Sequence, residues 1–210
     1  VADMAARFAD ASEAAEKLEG IRAARGGRVY SHFDRAVHCA TPCVQPGHGE
    51  LQIACDFNVD AMHWLICEVS HSRRAVHVVG EVVGPKDGTD TYTHAEKTAA
   101  ALLKLLAERG EVIGRRELME QRIPAFCDAS GAARNAVTPL THVHLLNQAG
   151  FSARHGAANP PIIDRVNEVS VLLRDRRLTV DAKGAPGLVR ALEQQPWDGN
   201  EPSKKGGLDH

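Results

Sequence analysis

At 210 residues with 43% hydrophobic side chains, the chain is long enough to bury a substantial core, as one large domain or a domain with extensions. Its formal charge of −2 excludes a surface that grips nucleic acid over its whole extent, so any contact with DNA must be local. No apolar run approaches the roughly 18–20 residues that span a bilayer, and the first residues lack the basic-then-apolar pattern of a signal segment. Candidate local phosphate contacts are the basic pairs Arg73-Arg74, Arg115-Arg116, Arg176-Arg177 and Lys204-Lys205. Numbering from Val1 and a terminal GGLDH that closes no element suggest a piece trimmed from a longer chain.

In chain order, Met4, Phe8, Ala11, Ala15 and Leu18 carry helical spacing that ends at Gly20 and predict a lead-in helix over 3–19. GRVYSHFD (27–34) predicts a short strand at Val29-Tyr30, followed by a Pro-containing loop over 40–49. We therefore expect residues 1–49 to be a lead-in and linker, and residues 50–210 the domain proper. LQIACDFNV alternates apolar Leu51, Ile53 and Cys55 with Gln52, Ala54 and Asp56, which predicts a strand with two different faces. HWLICEVS (63–70) and AVHVVGEVV (75–83) follow as strands, and the short turns between them predict an antiparallel meander.

Thr93 and Glu96 form a T-x-x-E pattern that predicts a helix start, and Gly110 predicts its end. RIPAFCD (122–128) is a short strand, and Thr138-Pro139 to Gly150 brackets another helix. From Asn159-Pro160-Pro161, the residues Ile162, Val166, Val169 and Leu173 form an apolar helical stripe. RLTVD (177–181) predicts a brief strand, 185–194 a last short helix, and the residues from Gln195 a loop. The fold class is α/β, a mixed sheet in which a three-strand antiparallel meander is followed by parallel strands, flanked by helices.

Asp56 and Asp128 each end a strand. If those strands lie side by side, their carboxylates converge at one sheet edge, where open α/β sheets build their sites. Hard divalent cations such as Mg²⁺ take carboxylate oxygens and retain waters, so such a pair suits phosphodiester chemistry. Cys55 and Cys127 precede the two aspartates, point to the opposite face and read as core rather than as nucleophiles. Glu81 is an auxiliary carboxylate candidate or a salt-bridged residue. His38, Cys39, Cys43 and His48 are zinc-ligand types in one loop, but their spacing matches no familiar finger. The chain has no H-E-x-x-H, no G-x-S-x-G elbow and no G-x-x-x-x-G-K-[ST] loop, so this piece carries no nucleotide-hydrolysing engine. Five cysteines without dense spacing predict reduced thiols rather than a disulfide framework.

Taken in order, GRVYSHFD (27–34), CDFNVDAM (55–62), FCDASGAARN (126–135), NPPIIDRVNEVSVLL (159–173) and GGLDH (206–210) resemble the C-terminal nuclease domain of phage terminase large subunits over nearly the whole chain. The resemblance implies an RNase H-like sheet and a two-metal endodeoxyribonuclease using Mg²⁺ or Mn²⁺. By position, Asp56 would bridge the two ions and Asp128 would be the fourth-strand carboxylate. Asp209 and His210 match the start of a C-terminal Asp-His-x-x-Asp context, so Asp209 is a further metal candidate and His210 a group that orients water or phosphate. Also implied are concatemeric double-stranded viral DNA as substrate, a packaging ATPase domain preceding this one, portal and small terminase subunit as partners, and a location in the host cell cytoplasm rather than at a membrane. Two other readings stay open: a different RNase H-like nuclease such as a resolvase or transposase core, and a non-catalytic module that docks a packaging motor to DNA or portal.

Overall fold

The computed structural model describes residues 27–57, 62–85, 90–132, 140–199 and 201–203. The lead-in helix expected over 3–19, the pair Lys204-Lys205, and Asp209 and His210 lie outside them. In chain order the elements are α1 (Arg35–His38), β1 (Glu50–Asp56), β2 (His63–Ser70), β3 (Ala75–Val83), α2 (Thr91–Glu108) and α3 (Arg115–Glu120). They continue with β4 (Pro124–Cys127), α4 (His142–Gln148), β5 (Ser152–His155), α5 (Ile162–Arg174), β6 (Leu178–Val180), α6 (Pro186–Gln194), and the small pair β7 (Trp197–Asp198) and β8 (Glu201–Pro202).

One mixed six-stranded sheet has the order β5-β4-β1-β2-β3-β6. β1, β2 and β3 form the antiparallel meander, while β4 joins β1, β5 joins β4 and β6 joins β3 in parallel. This is the mixed-sheet architecture expected from the strand pattern.

Alternation along the strands divides the core into two layers. On one face Ile53, Cys55, Trp64, Ile66 and Ala125 pack against α2, α3 and α4 through Ala99, Leu102, Leu118 and Leu146. On the other, Cys67 and Val78 pack under α5 and α6 through Leu173, Val189 and Leu192, joined by Phe33 from the segment before α1. Residues 28–44 are bound to that second layer. Val29 N–H donates to the Gln195 carbonyl, a His38 ring nitrogen meets the Leu173 carbonyl at 2.9 Å, and Cys43 N–H donates to Thr179 Oγ1. In place of the strand expected at Val29-Tyr30 there is an isolated bridge, Arg28 to Pro196.

Several boundaries differ from the sequence expectation for local reasons. α2 begins at Thr91 because Asp90 caps it: Thr93 N–H and hydroxyl both donate to the Asp90 carboxylate, at 2.9 and 2.6 Å. Thr93 is therefore the third helical residue rather than the cap, and Glu96 pairs with Arg115 at 2.6 Å. α4 begins at His142, with Thr141 accepting from His144 N–H; Thr138 and Pro139 lie outside the described residues. β5 is absent from the sequence expectation, because Ser-Ala-Arg-His is a short, polar edge strand with no apolar alternation to mark it. α3 is likewise additional, and residues beyond Gln195 pair as β7 and β8 instead of running on as loop.

Candidate metal centre

The parallel register pairs Cys55 of β1 with Cys127 of β4, so the next residue on each strand, Asp56 and Asp128, leaves the sheet at the same level on neighbouring strands. Both aspartates line one open cleft of about 580 Å³ with Ala54, His63, Phe126, Asn159 and Arg165. Their neighbours in the chain follow the same alternation. Cys55 is buried in the opposite layer, where burial, reinforced by the neighbouring Cys127 thiol, raises its pKa well above the ordinary thiol value. That environment suits packing and disfavours a thiolate nucleophile.

Each strand end is held from behind. Trp64 Nε1 donates to the Asp56 carbonyl at 3.2 Å, and Trp64 is fully buried. Phe57 packs edge-on to Trp64 and stacks on His142, whose Nδ1 lies 2.6 Å from Thr91 Oγ1. Burial lowers the pKa of His142, opposed by the negative field of Asp128. On the other strand, Ser130 Oγ donates to the Asp128 carboxylate at 2.6 Å, and Ala129 N–H donates to Asn159 Oδ1 at 2.7 Å. The Asn159 bond ties the approach to α5 directly to the turn that carries Asp128. Gly131 closes this turn where a Cβ would come within 3.0 Å of Cys127 Cβ and 3.2 Å of the Phe57 ring.

Glu81 takes the structural option. Its carboxylate accepts from the backbone N–H of Gly187 at 2.7 Å and of Leu188 at 2.9 Å, at the start of α6, and meets His63 Nε2 at 3.1 Å. Burial works to raise this carboxyl, but the hydrogen bonds from His63 and the two amides outweigh it and hold its pKa below the ordinary value. A Cβ at Gly187 would sit 2.8 Å from this carboxylate, so a larger residue there would displace the Glu81 side chain. Glu81 thus anchors α6 to the sheet, and it does not line the cleft.

The loop residues His38, Cys39, Cys43 and His48 do not assemble as a zinc set. His38 bonds to backbone at Asp34 and Leu173, the Cys43 thiol faces the Val76 and Arg177 carbonyls, and His48 is exposed. Among the described residues no three His, Cys, Asp or Glu side chains come together as a metal-binding group. Asp56 and Asp128 are two carboxylates brought to one cleft from neighbouring strand ends. Two adjacent hard-oxygen donors at an open cleft fit a hydrated Mg²⁺ or Mn²⁺, which is bound through a few carboxylates and substrate phosphates.

Among the described residues, none of the basic pairs singled out in the sequence lines this cleft. Arg115 is bound to Glu96, Arg116 to Glu120 and Arg177 to Asp175, and Arg73-Arg74 occupy the β2–β3 turn. Sequence reasoning missed Arg165 and Asn159. The available signal was the spacing of Ile162, Arg165 and Val166, which places an arginine on the side of α5 that starts the apolar stripe.

A mixed sheet with its meander at the centre, helices on both faces and acids at the ends of two adjacent parallel strands is the RNase H-like class of fold. Within it, the chain has the fold of large terminase nuclease domains. The nuclease domain of the P22 large terminase superposes with a TM-score of 0.60 at 12% identity, covering 86% of this chain and 85% of that one. The large terminase of a thermophilic bacteriophage superposes with a TM-score of 0.59 at 16% identity, covering 88% of this chain but 42% of that one. No family model matches the sequence, and comparison with curated proteins returns no relative.

Proposed function

We propose that the protein is a metal-dependent endonuclease that cleaves concatemeric double-stranded viral DNA during genome packaging. The observation that carries this reading is the placement of Asp56 and Asp128 on adjacent parallel strand ends, lining one cleft, in a large-terminase nuclease fold. Asp56 and Asp128 would hold two divalent cations, with Asp209 as a third carboxylate and His210 beside it to orient water or phosphate. When bound, such ions supply Lewis-acid stabilisation of the phosphate and a more acidic water for in-line attack.

The chain's own part is positioning. The Trp64 indole and the Phe57 ring stack fix the end of β1, so the Asp56 carboxylate is presented without reorganisation. Ser130 and Asn159 fix the Asp128 turn in the same way. By the same reading the domain follows a packaging ATPase domain in a longer chain. It would work with portal and small terminase subunit in the host cell cytoplasm. No helix of the described residues is long and apolar enough to cross a membrane.

The test is incubation of supercoiled plasmid with Mg²⁺ or Mn²⁺, comparing wild type with Asp56→Asn and Asp128→Asn. Cutting by wild type that is abolished by chelator and by either substitution supports the proposal. Normal DNA binding with no cutting in either metal would instead make the domain a docking module, and normal cutting by a folded Asn variant would remove that carboxylate from the centre.

A further inference from the structure

The cleft that holds the acidic pair also contains an arginine with no acid assigned to it. Arg165 projects from the first turn of α5 into the lining shared by Asp56, Asp128 and Asn159, is exposed, and makes no ion pair among the described residues. This separates it from Arg109, Arg115, Arg116 and Arg177, each of which is bound to a named carboxylate. Its position is set by the protein. Asn159 pins the entry to α5 against the Asp128 turn, Val166 beside it is buried, and Tyr30, partly buried at the cleft wall, lies within the field of its guanidinium.

A second unpaired arginine lies on the adjoining edge strand. β5 pairs in parallel with β4 so that Arg154 stands opposite Phe126, on the face that Phe126 presents to the cleft. Arg154 is exposed and also makes no ion pair among the described residues. One strand spacing across and two residues back from Asp128 put the Cα atoms of Arg154 and Asp128 about 8 Å apart. Phe126, directly opposite Arg154 and two residues before Asp128, is 46% exposed on this face.

A guanidinium left without a carboxylate beside two carboxylates is the arrangement expected where the missing anion is the substrate. Planar, forked donors match phosphate oxygens, and they offset the repulsion between an acidic centre and a polyanion. We propose that Arg165 grips a backbone phosphate at the cleavage cleft and that Arg154 grips the same strand as it continues over β5. Resting on the nuclease reading above, this makes the local positive charge required by a net charge of −2 two single arginines rather than any of the described basic pairs.

The test is equilibrium binding of a fluorescent DNA duplex to the chain over a salt series, with Ca²⁺ in place of the catalytic metal. The variants are Arg165→Ala, Arg154→Ala and, as a remote control, Arg116→Ala. Each phosphate contact removed should lower the slope of log Kobs against log salt by about 0.9, and the Arg165→Ala, Arg154→Ala double variant should lose about 1.8. Arg116→Ala should keep the wild-type slope. All three arginines are exposed, so matched melting temperatures exclude misfolding as the cause. A wild-type slope in Arg165→Ala overturns the proposal, as does an equal loss in Arg116→Ala. A wild-type slope in Arg154→Ala overturns the flanking assignment. If the arginine variants lose slope while Asp56→Asn and Asp128→Asn still cut plasmid, the phosphate grip stands and the nuclease reading of the carboxylates falls.

Discussion

His94 should make the protein acid-sensitive in a way that one substitution removes. Its side chain is fully buried, its Nε2 donates to the Val82 carbonyl at 3.0 Å, and its ring meets Trp64 edge-on at 4.6 Å. Among the described residues its Nδ1 has no partner. Burial, the largest cause, lowers its pKa from 6.5 to about 4. A base with a depressed folded pKa contributes stability that is complete above the unfolded value and is lost as pH falls toward the folded one. The window is therefore pH 6.5 down to about 4. At pH 4.5 the unfolded imidazole is almost wholly charged and the folded one mostly neutral, which removes about 2.5 kcal/mol relative to neutral pH. His94→Gln keeps an N–H for Val82 but cannot titrate. Urea unfolding followed by circular dichroism between pH 7.5 and 4.5 should show the wild type losing about 2.5 kcal/mol more than the variant. Parallel losses in the two proteins would show that His94 takes up its proton without cost, and would refute the argument.

Other substitutions test the packing that positions the cleft. Glu68 is completely buried and held by Arg109 Nη1 at 2.6 Å and Gly47 N–H at 2.8 Å, so Arg109→Met strands a buried carboxylate. It should cost about 3 kcal/mol in denaturant unfolding at neutral pH, and a cost near zero would mean the carboxylate finds water or another donor. Gly184 touches the β3 bulge so closely that a Cβ would lie 2.1 Å from the Val79 carbonyl oxygen. Gly184→Ala should therefore destabilise by about 1–3 kcal/mol, whereas an unchanged unfolding midpoint would show that this contact relaxes freely. Burial pushes the Cys67 thiol up to about 12 and also raises Cys55, so neither should react with iodoacetamide at pH 7.5 in the folded protein. Labelling of either thiol, mapped by mass spectrometry, would contradict the burial of that strand.

The meander and the strand-ending aspartates were legible because their information is local. Ile53-Ala54-Cys55-Asp56 alternates by face, and the parallel β1–β4 register then brings Asp128 alongside Asp56. What stayed hidden depends on partners far away in sequence. The true cap of α2 is Asp90, whose advantage over Thr93 shows only when its carboxylate is seen to bind both Thr93 donors. The sequence leaves Glu81 as either an auxiliary acid or a salt-bridged residue, and the choice is made only by Gly187 and Leu188 of α6, which occupy its oxygens. Arg165 reads as an ordinary solvated helix charge, because the sequence does not show which acids stand across the cleft. β5 is four residues long and polar, and it exists only because β4 offers a parallel edge.

The most direct measurement is an anomalous difference map from crystals of the protein soaked in Mn²⁺. The account predicts density in the cleft within coordinating distance of carboxylate oxygens from both Asp56 and Asp128, lost from that position in Asp56→Asn crystals. Manganese bound elsewhere, or an empty cleft in a preparation that cuts DNA under the same metal, would contradict it.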